Sequence, residues 1–577
     1  DKKTTLRLLV RAIQAAVNQR KEAYNVEQSS KDPGQGWMNE QGKLMEEVIR
    51  WGAVVFSDKP GEKRMSLVVQ LMREYEHPGH LGPHLQASNV EDFFQDLDPE
   101  LKTELHKILT EGVEVGVDRE RETEHATPSK TATEHSDKVW KNLRKFVACG
   151  FMYALPPSTW EITKKWKLKV SPVHFVPSTP YKKNDRLVAN CSQADDEQDE
   201  EGQDLNSLSP DMGYEDVQAD YIDDIITEIT EQLLLSGLLD ELEVVQFQAD
   251  IKAAFKMVMI SINSIGSICI EFDGWLFVYG RTAFGWKWAT HTWSVFAKAI
   301  KAKVRSHERN GWGARNIARD WTRMGNHIAS LRLLRVHGHL KEALALSKKW
   351  AMSMAFMYID DLYAMQRYSN CGKAEQLADR IRTVGFLLLG PSAWSISKAD
   401  EESFFSRVQK HTGVVLHTSF GPEPRASFTK DRIERCMEFV DEVLNDPEAT
   451  EWSLHFFQEA WGNFVWLQKV YRSFKPFASA LRRPLQGQPS VTAKEARQVM
   501  VSPRLPTEGK ATGCKKFRRD MRCARYMLES LLQLKTRYGE CTKEATVHVL
   551  CMADIEDWGR LPTGTWTSIG GDASGTG

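Results

Sequence analysis

The sequence predicts an α+β protein of several domains, and three observations carry that expectation. Short runs rich in β-branched and aromatic residues, such as Val170–Val176 and Ala355–Met365, have strand character. Long stretches with helical spacing of apolar residues occupy both flanks of the chain, the arrangement of an antiparallel sheet between helices. With 577 residues the chain is also too long for a single hydrophobic core.

Composition narrows the class. Hydrophobic residues at 41% and charged residues at 27% describe an ordinary globular protein. The longest apolar runs, Leu233–Leu239 and Phe386–Leu389, stop far short of the ~20 residues that span a bilayer, so no membrane partner is expected. Asp1-Lys2-Lys3-Thr4 leads into an amphipathic helical pattern rather than an apolar signal core, and an intracellular protein of cytoplasm or nucleus is expected. The 9 cysteines, scattered from Cys149 to Cys551 without a CxxC pair, read as reduced thiols rather than a disulfide framework or zinc ribbon. His77, His80 and His84 are interleaved with Pro and Gly, which favours a loop over a zinc site. Neither a P-loop nor a GxGxxG stretch occurs. The net charge of −2 conceals segregation: Asp195–Glu201 is an acidic run, while Lys164–Lys169 and Lys515–Arg525 are basic. A basic groove is compatible with this, although each run taken singly reads as a solvated face.

Along the chain, residues 1 to about 135 read as helical, with Leu8, Leu9, Ala12, Ala15 and Ala16 at helix spacing. Arg119–Lys138 is charged and Thr-rich, the composition of a linker. Val170–Val176 and Arg186–Val188 predict short strands joined by a basic loop, and the acidic run after them reads as a surface insertion. Residues 216–240 predict an amphipathic helix. Strands are expected at Val244–Gln248, Met257–Ile262, Ile265–Phe272 and Trp275–Tyr279, helix at 301–350, and strand again at Ala355–Met365. The pattern after about 425 is helical to Leu481. Pro- and Gly-containing linkers then lead to a basic helix and a strand-like tail.

Chemistry concentrates in Ala355–Met365, where two apolar runs flank Asp360-Asp361. At the tip of a β-hairpin the repulsion of two adjacent carboxylates is relieved only by solvent or cations, which makes the pair a divalent-metal candidate. A polar turn is the other reading, since Asp is common in turns. The same letters occur at Tyr221-Ile222-Asp223-Asp224, but there the neighbours continue a helix and the acids complement its N-terminal dipole. A further acid, Asp250, closes the strand-like run Gln246-Phe247-Gln248-Ala249. A strand-borne acid beside an Asp-Asp hairpin could hold two divalent ions ~3.5–4 Å apart for in-line phosphoryl transfer.

These residues resemble the motifs of reverse transcriptases. Asp250-Ile251-Lys252-Ala253-Ala254-Phe255 resembles motif A, Phe284-Gly285-Trp286-Lys287-Trp288-Ala289 motif B, and Tyr358-Ile359-Asp360-Asp361 motif C. Upstream, Pro172 to Arg186-Leu187-Val188-Ala189-Asn190 resembles the fingers motifs, followed by Leu205-Asn206. Downstream, Gly385 to Lys398 resembles motif D, and Thr412-Gly413-Val414-Val415-Leu416 a primer-grip hairpin. The order excludes the Tyr221 copy, which precedes motif A. The chain departs from the family pattern at Asn190, where Asp is usual, and at Thr290, where Pro is usual.

The resemblance implies a right-hand polymerase with fingers, a ferredoxin-like palm and a helical thumb, behind a helical N-terminal extension. Its implied limits are 1–135 for the extension and 136–240 for the fingers with the acidic insertion. The palm would be 241–420 with a helical insertion at 301–350, the thumb 421–500, and a connection 501–565. It implies that Asp250, the carbonyl of Ile251, Asp360 and Asp361 hold two Mg²⁺ ions, for which Mn²⁺ can substitute. Lys182, Lys183 and Arg186 would neutralise the triphosphate. Phe255 would exclude the ribose 2′-hydroxyl, and Gly285 would let the backbone approach the nascent base pair. The implied partners are an RNA template, a DNA primer and product, and dNTPs. Residues 566–577 resemble the first strand of an RNase H domain, with Asp572 as a possible carboxylate ligand, and no RNase H activity is expected of this chain. The polymerase–RNase H order and Trp461–Trp466 resemble retroelements of the LTR and DIRS-like groups. The rival reading is a catalytically decayed or domesticated scaffold that binds nucleic acid without catalysis.

Overall fold

A computed structural model describes residues 1–28, 35–76, 90–178, 185–192, 204–213, 225, 244–306, 354–367, 381–389, 408–417, 425–488, 493–503, 509–538 and 550–551, apart from 92, 93, 96, 252, 360, 382, 386, 412, 413 and 429. Within them the protein is a mixed α+β chain, rich in helix, with small sheets. The expected helix at 216–240, apart from buried, helical Ile225, lies outside the described residues; so do 307–350 of the expected helix, Asp223, Asp224, His77, His80 and His84.

Helices α1 (Lys2–Gln28), α2 (Gln35–Val55) and α3 (Gly61–Tyr75) open the chain. α4 (Pro99–Glu111) begins where the Asp98 carboxylate accepts hydrogen bonds from the amides of Glu100 and Leu101 at 3.0 and 3.4 Å, with Pro99 in the first turn. α5 (Lys130–Glu134) is capped by the Ser129 hydroxyl, and α6 (Ser136–Ala148) follows. Strands β1 (Met152–Leu155), β2 (Val170–Ser171), β3 (Val173–Val176), β4 (Arg186–Ala189), β5 (Val244–Asp250), β6 (Cys269–Phe272) and β7 (Trp275–Tyr279) come next. α7 (Ala289–Ser306) precedes β8 (Met354–Tyr358), β9 (Asp361–Arg367), β10 (Val408–His411), β11 (Val414–His417) and β12 (Arg425–Phe428). The C-terminal elements are α8 (Lys430–Asn445), β13 (Trp452–Ser453), α9 (Leu454–Val470), α10 (Lys475–Arg482), β14 (Met500–Val501), α11 (Lys510–Tyr538) and β15 (Leu550–Cys551).

The chain forms two compact units. One comprises Asp1–Ala219, Asp250–Arg319 and Asp379–Ile396, the other Asp220–Ala249, Asp320–Ala378 and Ser397–Gly577.

In the first unit a four-stranded sheet has the order β1-β7-β6-β2, antiparallel except for the parallel β2–β6 edge. β6 and β7 are joined through Asp273 and Gly274 at φ 49° and 76°, the left-handed pair that a two-residue hairpin needs. β3 and β4 form a separate antiparallel ribbon, Val173 opposite Ala189 and Val176 opposite Arg186. The core face of α1 is Leu9, Ala12, Ile13, Ala16 and Val17, whereas Ala15 is exposed, so the predicted face is rotated by one position. Arg20, buried on α1, meets Glu76 at 2.6 Å, and Tyr153 of β1 donates to the same carboxylate at 3.2 Å. Arg73 of α3 donates to the carbonyls of Ile260 and Gly280, tying helix to strand segments.

Two sequence expectations fail here. Arg119–Lys138 is not a linker: Arg119 donates to the carbonyls of Ile265 and Glu62, Thr123 is buried and bonded to Leu168, and Ala126 donates to Glu271. His125 stacks on Trp160 at 3.8 Å while also meeting Glu271. Polar side chains and a backbone amide fasten this stretch, so its lack of large apolar residues was misleading. Met257–Ile262 is not a strand either. Ala253 at φ 57° turns the chain into a 3-10 turn at Ala254–Met257, after which only single bridges form at Met259 and Ile260. Met257, Val258 and Ile260 are buried, but the backbone groups of the segment pair one at a time with Val113, Gly280 and Thr282.

The second unit holds the sheet β5-β9-β8, the sheet β10-β11-β12-β15, and the small β13–β14 pair. Helices α8, α9, α10 and α11 share a core built from Phe439, Phe457, Phe464, Phe477, Phe517 and Leu528, among others. α9 starts at Ser453, whose hydroxyl accepts from the Phe456 amide at 3.1 Å. β10 and β11 form the hairpin expected around 412–416, in the register His411 opposite Val414. Among the described residues no helix is long and apolar enough to cross a membrane, and the cysteines described, including Cys149, Cys436 and Cys514, are free thiols.

Candidate active site

In the second unit the acidic hairpin has the predicted form. β8 and β9 are antiparallel with Tyr358 opposite Asp361, which leaves two residues for the connection. The first of them, Ile359, has φ 57°, a conformation that costs a β-branched residue about 1–2 kcal/mol. The second, Asp360, lies outside the described residues. Asp361 opens β9 and is half-buried, while Ala355, Phe356, Met357, Leu362, Tyr363 and Ala364 are buried. Apolar strands thus fix a pair that carries an acid into partial contact with solvent.

Sequence reasoning missed what holds this hairpin in register. Gln246 of β5 is fully buried and its side chain is bonded at both ends. Its Oε1 accepts from the Tyr363 hydroxyl at 2.5 Å, and its Nε2 donates to the Leu416 carbonyl of β11 at 2.9 Å. One amide therefore joins β5, β9 and the β10–β11 hairpin. Strand alternation sets Gln246, Gln248 and Asp250 on one face of β5, and Asp361 and Tyr363 on one face of β9. The signal in the sequence was Gln246 itself, a polar residue between Val244-Val245 and Phe247 of the strand.

Asp250 ends β5 half-buried and Ile251 after it is buried. The carboxylates and the backbone carbonyl proposed as ligands are hard oxygen donors, the kind that Mg²⁺ takes. Among the described residues no group of three or more His, Cys, Asp or Glu side chains is gathered for a metal.

In the first unit three of the nucleotide-site candidates, Arg186, Phe255 and Gly285, lie around the half-buried ring of Phe284. Phe255 packs edge-on against it with centroids 4.9 Å apart, and the Arg186 guanidinium lies 5.9 Å from its centroid. Phe255 is 9% exposed, and its carbonyl accepts from the Thr282 hydroxyl at 2.5 Å, which fixes the 3-10 turn. Lys256 is buried with its ammonium nitrogen 3.1 Å from the Phe146 centroid and 5.8 Å from Phe284. Burial pushes this amine down to about 7, against the weaker opposing pull of Cys149.

Gly285 has φ 108°, and a Cβ there would sit 1.8 Å from the Ala189 carbonyl oxygen of β4. The amide of Ala189 donates to Phe284 at 3.1 Å, so the glycine is demanded by the close approach of β4. Asn206 clamps the same loop: its Nδ2 donates to the Gly285 carbonyl and its Oδ1 accepts from the Lys287 amide, both at 2.8 Å. Arg186, Asn206, Phe255 and Gly285, scattered in the sequence, thus form one local cluster. Lys182, Lys183 and Asp572 lie outside the described residues.

No protein-family model matches the chain, and no curated protein matches it. Solved structures of the foamy viral protease-reverse transcriptase are similar to it at a distance. One, named as the dRH form in complex with double-stranded DNA, shares 11% identity at a TM-score of 0.34, over 75% of this chain and 59% of that one. A second, with double-stranded DNA, shares 12% at 0.34 over 76% and 71%. A third, with an RNA/DNA hybrid, shares 12% at 0.32 over 75% and 46%. The chain therefore spans less than two thirds of the first and third of these proteins.

Proposed function

We propose that this chain is an RNA-directed DNA polymerase of a retroelement, of LTR or DIRS-like type, with a right-hand arrangement of fingers, palm and thumb. The observation that carries the reading is the hairpin register, Tyr358 opposite Asp361, found in the motif order that the sequence supplies. The bond between Gln246 and Tyr363 supports the register further, because Tyr363 shares a strand face with Asp361.

In this reading Asp250, the Ile251 carbonyl, Asp360 and Asp361 hold two Mg²⁺ ions, or Mn²⁺ in their place. When bound, the ions lower the pKa of a primer 3′-hydroxyl and neutralise charge on the leaving pyrophosphate. Arg186, with Lys182 and Lys183, binds and orients the triphosphate of the incoming dNTP; a planar guanidinium fork suits its oxygens. Phe255, held rigid against Phe284 and by Thr282, fills the space a ribose 2′-hydroxyl would need and so selects dNTP over rNTP. Asn206 and the Ala189 amide of β4 hold the Phe284–Lys287 loop beneath the nascent pair. The β10–β11 hairpin positions the primer end of a DNA strand annealed to an RNA or DNA template.

Primer extension on an RNA template with Mg²⁺ tests this. Extension is expected from the intact chain, with a loss of about a hundredfold or more in Asp360→Asn and Asp361→Asn, the scale on which removed electrostatic stabilisation is felt. Phe255→Ala should raise rNTP incorporation. Intact protein that extends no primer with either Mg²⁺ or Mn²⁺ refutes the enzyme and leaves a non-catalytic scaffold.

A further inference from the structure

The basic character of Lys515–Arg525 resolves, in the structure, into two kinds of residue. α11 buries Phe517, Met521, Ala524, Leu528 and Leu531, which recur at positions i, i+4, i+7, i+11 and i+14 and lie in the core of the second unit. Lys515, Arg519, Arg522 and Tyr526 follow the same spacing two residues earlier, which turns them about 160° from that apolar face at 100° per residue. Their exposure agrees: Lys515 and Arg522 are exposed, the Arg519 side chain is 68% accessible, and Tyr526 is 72% accessible. Tyr526 is the most exposed large hydrophobic or aromatic side chain among the described residues.

Arg518 and Arg525 of the same helix serve the fold. Arg518 donates to the carbonyls of Asp446 and Ala449 and lies over Trp452 at 5.6 Å, and Arg525 pairs with Asp441 and Glu529. By contrast, among the described residues Lys515 and Arg522 make no ion pair, and Arg519 meets its sequence neighbour Asp520 alone, at 3.4 Å. A fold that pairs its structural arginines but leaves a cationic row at water, with one bare aromatic ring in line, is not spending those residues on stability. Cations at helical intervals suit a chain of phosphates, and an exposed ring among them suits an unpaired base, which an acidic polypeptide does not offer.

We propose that Lys515, Arg519, Arg522 and Tyr526 form a contact surface for single-stranded nucleic acid, the three cations on successive phosphates and the Tyr526 ring stacked on a base. The proposal rests on the polymerase reading for why such a strand is present, and on the α11 geometry for where it binds. Binding of a labelled single-stranded RNA to the full chain, followed by fluorescence anisotropy across a salt series, tests it. Tyr526→Ala should weaken binding about 5- to 100-fold, the range that loss of one stacked base gives. R519Q combined with R522Q should weaken it at least 10-fold at low salt and flatten the slope of log K against log salt by about 1.4, or 0.7 for each phosphate contact. Lys130→Gln, on α5 of the first unit, is the control for a mere change of net charge and should leave both readings as they were.

Variants that bind within twofold of the parent with an unchanged slope overturn the proposal. So does equal competition by polyglutamate with Tyr526→Ala silent, which would make the surface one for acidic protein. A chain that extends primers while the α11 variants bind normally loses only this proposal. A chain that binds RNA through α11 but extends nothing loses only the polymerase reading.

Discussion

Replacing Gln246 tests the joint that ties three strand elements together. In Gln246→Leu, a near-isosteric change, the Tyr363 hydroxyl and the Leu416 carbonyl each lose the partner that Gln246 gives them. Gln246, Tyr363 and Leu416 are all 0% exposed, so water does not replace the bonds. A buried polar group deprived of its partner costs about 1–3 kcal/mol, which makes the expected loss about 2–6 kcal/mol for the two. Tyr363→Phe breaks one bond and should cost about 1–3 kcal/mol. The double variant is the decisive one. With the hydroxyl gone, only the Leu416 carbonyl still misses Gln246, so adding Tyr363→Phe to Gln246→Leu should recover about 1–3 kcal/mol rather than lose more. Urea unfolding, with hydrogen exchange of the β8–β9 amides as local readout, measures all three. Strict additivity, with the double variant the least stable of the set, would refute the bonded arrangement.

Three further outcomes follow from the first unit. Gly285→Ala places a methyl 1.8 Å from the Ala189 oxygen at φ 108°, and the strain and overpacking together should cost about 2–5 kcal/mol in thermal or urea unfolding; a loss under about 1 kcal/mol contradicts the close approach of β4. Lys256 titrates at about 7 in the fold against 10.5 in the open chain, because burial disfavours the ammonium. Below pH 7 both states carry the proton and the cost of the buried charge is full; between 7 and 10.5 only the unfolded chain carries it, so stability climbs with pH. Lys256→Met should raise the melting temperature most at pH 6–7 and abolish that climb, and a pH-independent difference would show that the amine is already solvated. Burial pushes the Glu76 carboxyl up, but Arg20, Arg281 and Arg73 outweigh it and hold the group below the usual carboxylate value. Its stabilisation is thus present above the ordinary value of 4.5 and lost as pH falls through the lower folded one. Glu76→Gln, which leaves three guanidinium groups around a neutral amide, should cost about 3–5 kcal/mol at pH 7, read from urea unfolding.

What was legible in the sequence was local pattern. Val170–Val176 and Arg186–Val188 were readable as strands joined by a loop because β-branched runs there are bounded by Pro172, Pro177 and Pro180. The Asp361 hairpin was readable because apolar runs on both sides of an acidic pair leave few other uses for it. Long-range polar partners were not legible. Gln246 and Tyr363 are 117 positions apart, Arg119 and Ile265 146 apart, and nothing in the composition of either segment announces the other. The tract after Arg119 looked like a linker because it lacks large apolar residues, yet Arg119, Thr123 and the Ala126 amide bond it to the rest of the first unit. Phe284 was visible only as a letter of a motif, although it is the ring on which Arg186, Phe255 and Lys256 converge.

The polar joint at Gln246 also answers a problem that apolar strands create. β8 and β9 bury consecutive, largely apolar residues and so are covered on both faces, Ala355, Phe356 and Met357 on one, Leu362, Tyr363 and Ala364 on the other. Apolar packing distinguishes such registers weakly, and a slip of one residue carries every side chain of β9 to the opposite face. Asp361 would go with them, since it shares its face with Tyr363. A hydrogen bond to a buried amide admits no such slip, because the displaced hydroxyl and the Gln246 oxygen would both be left in apolar surroundings at about 1–3 kcal/mol each. The second end of the same amide, on Leu416, holds β11 to the register of β5 in the same way. A single buried glutamine therefore fixes which face of the sheet carries the acid, and this is a reason for a polar residue to occupy a position where an apolar one would pack as well.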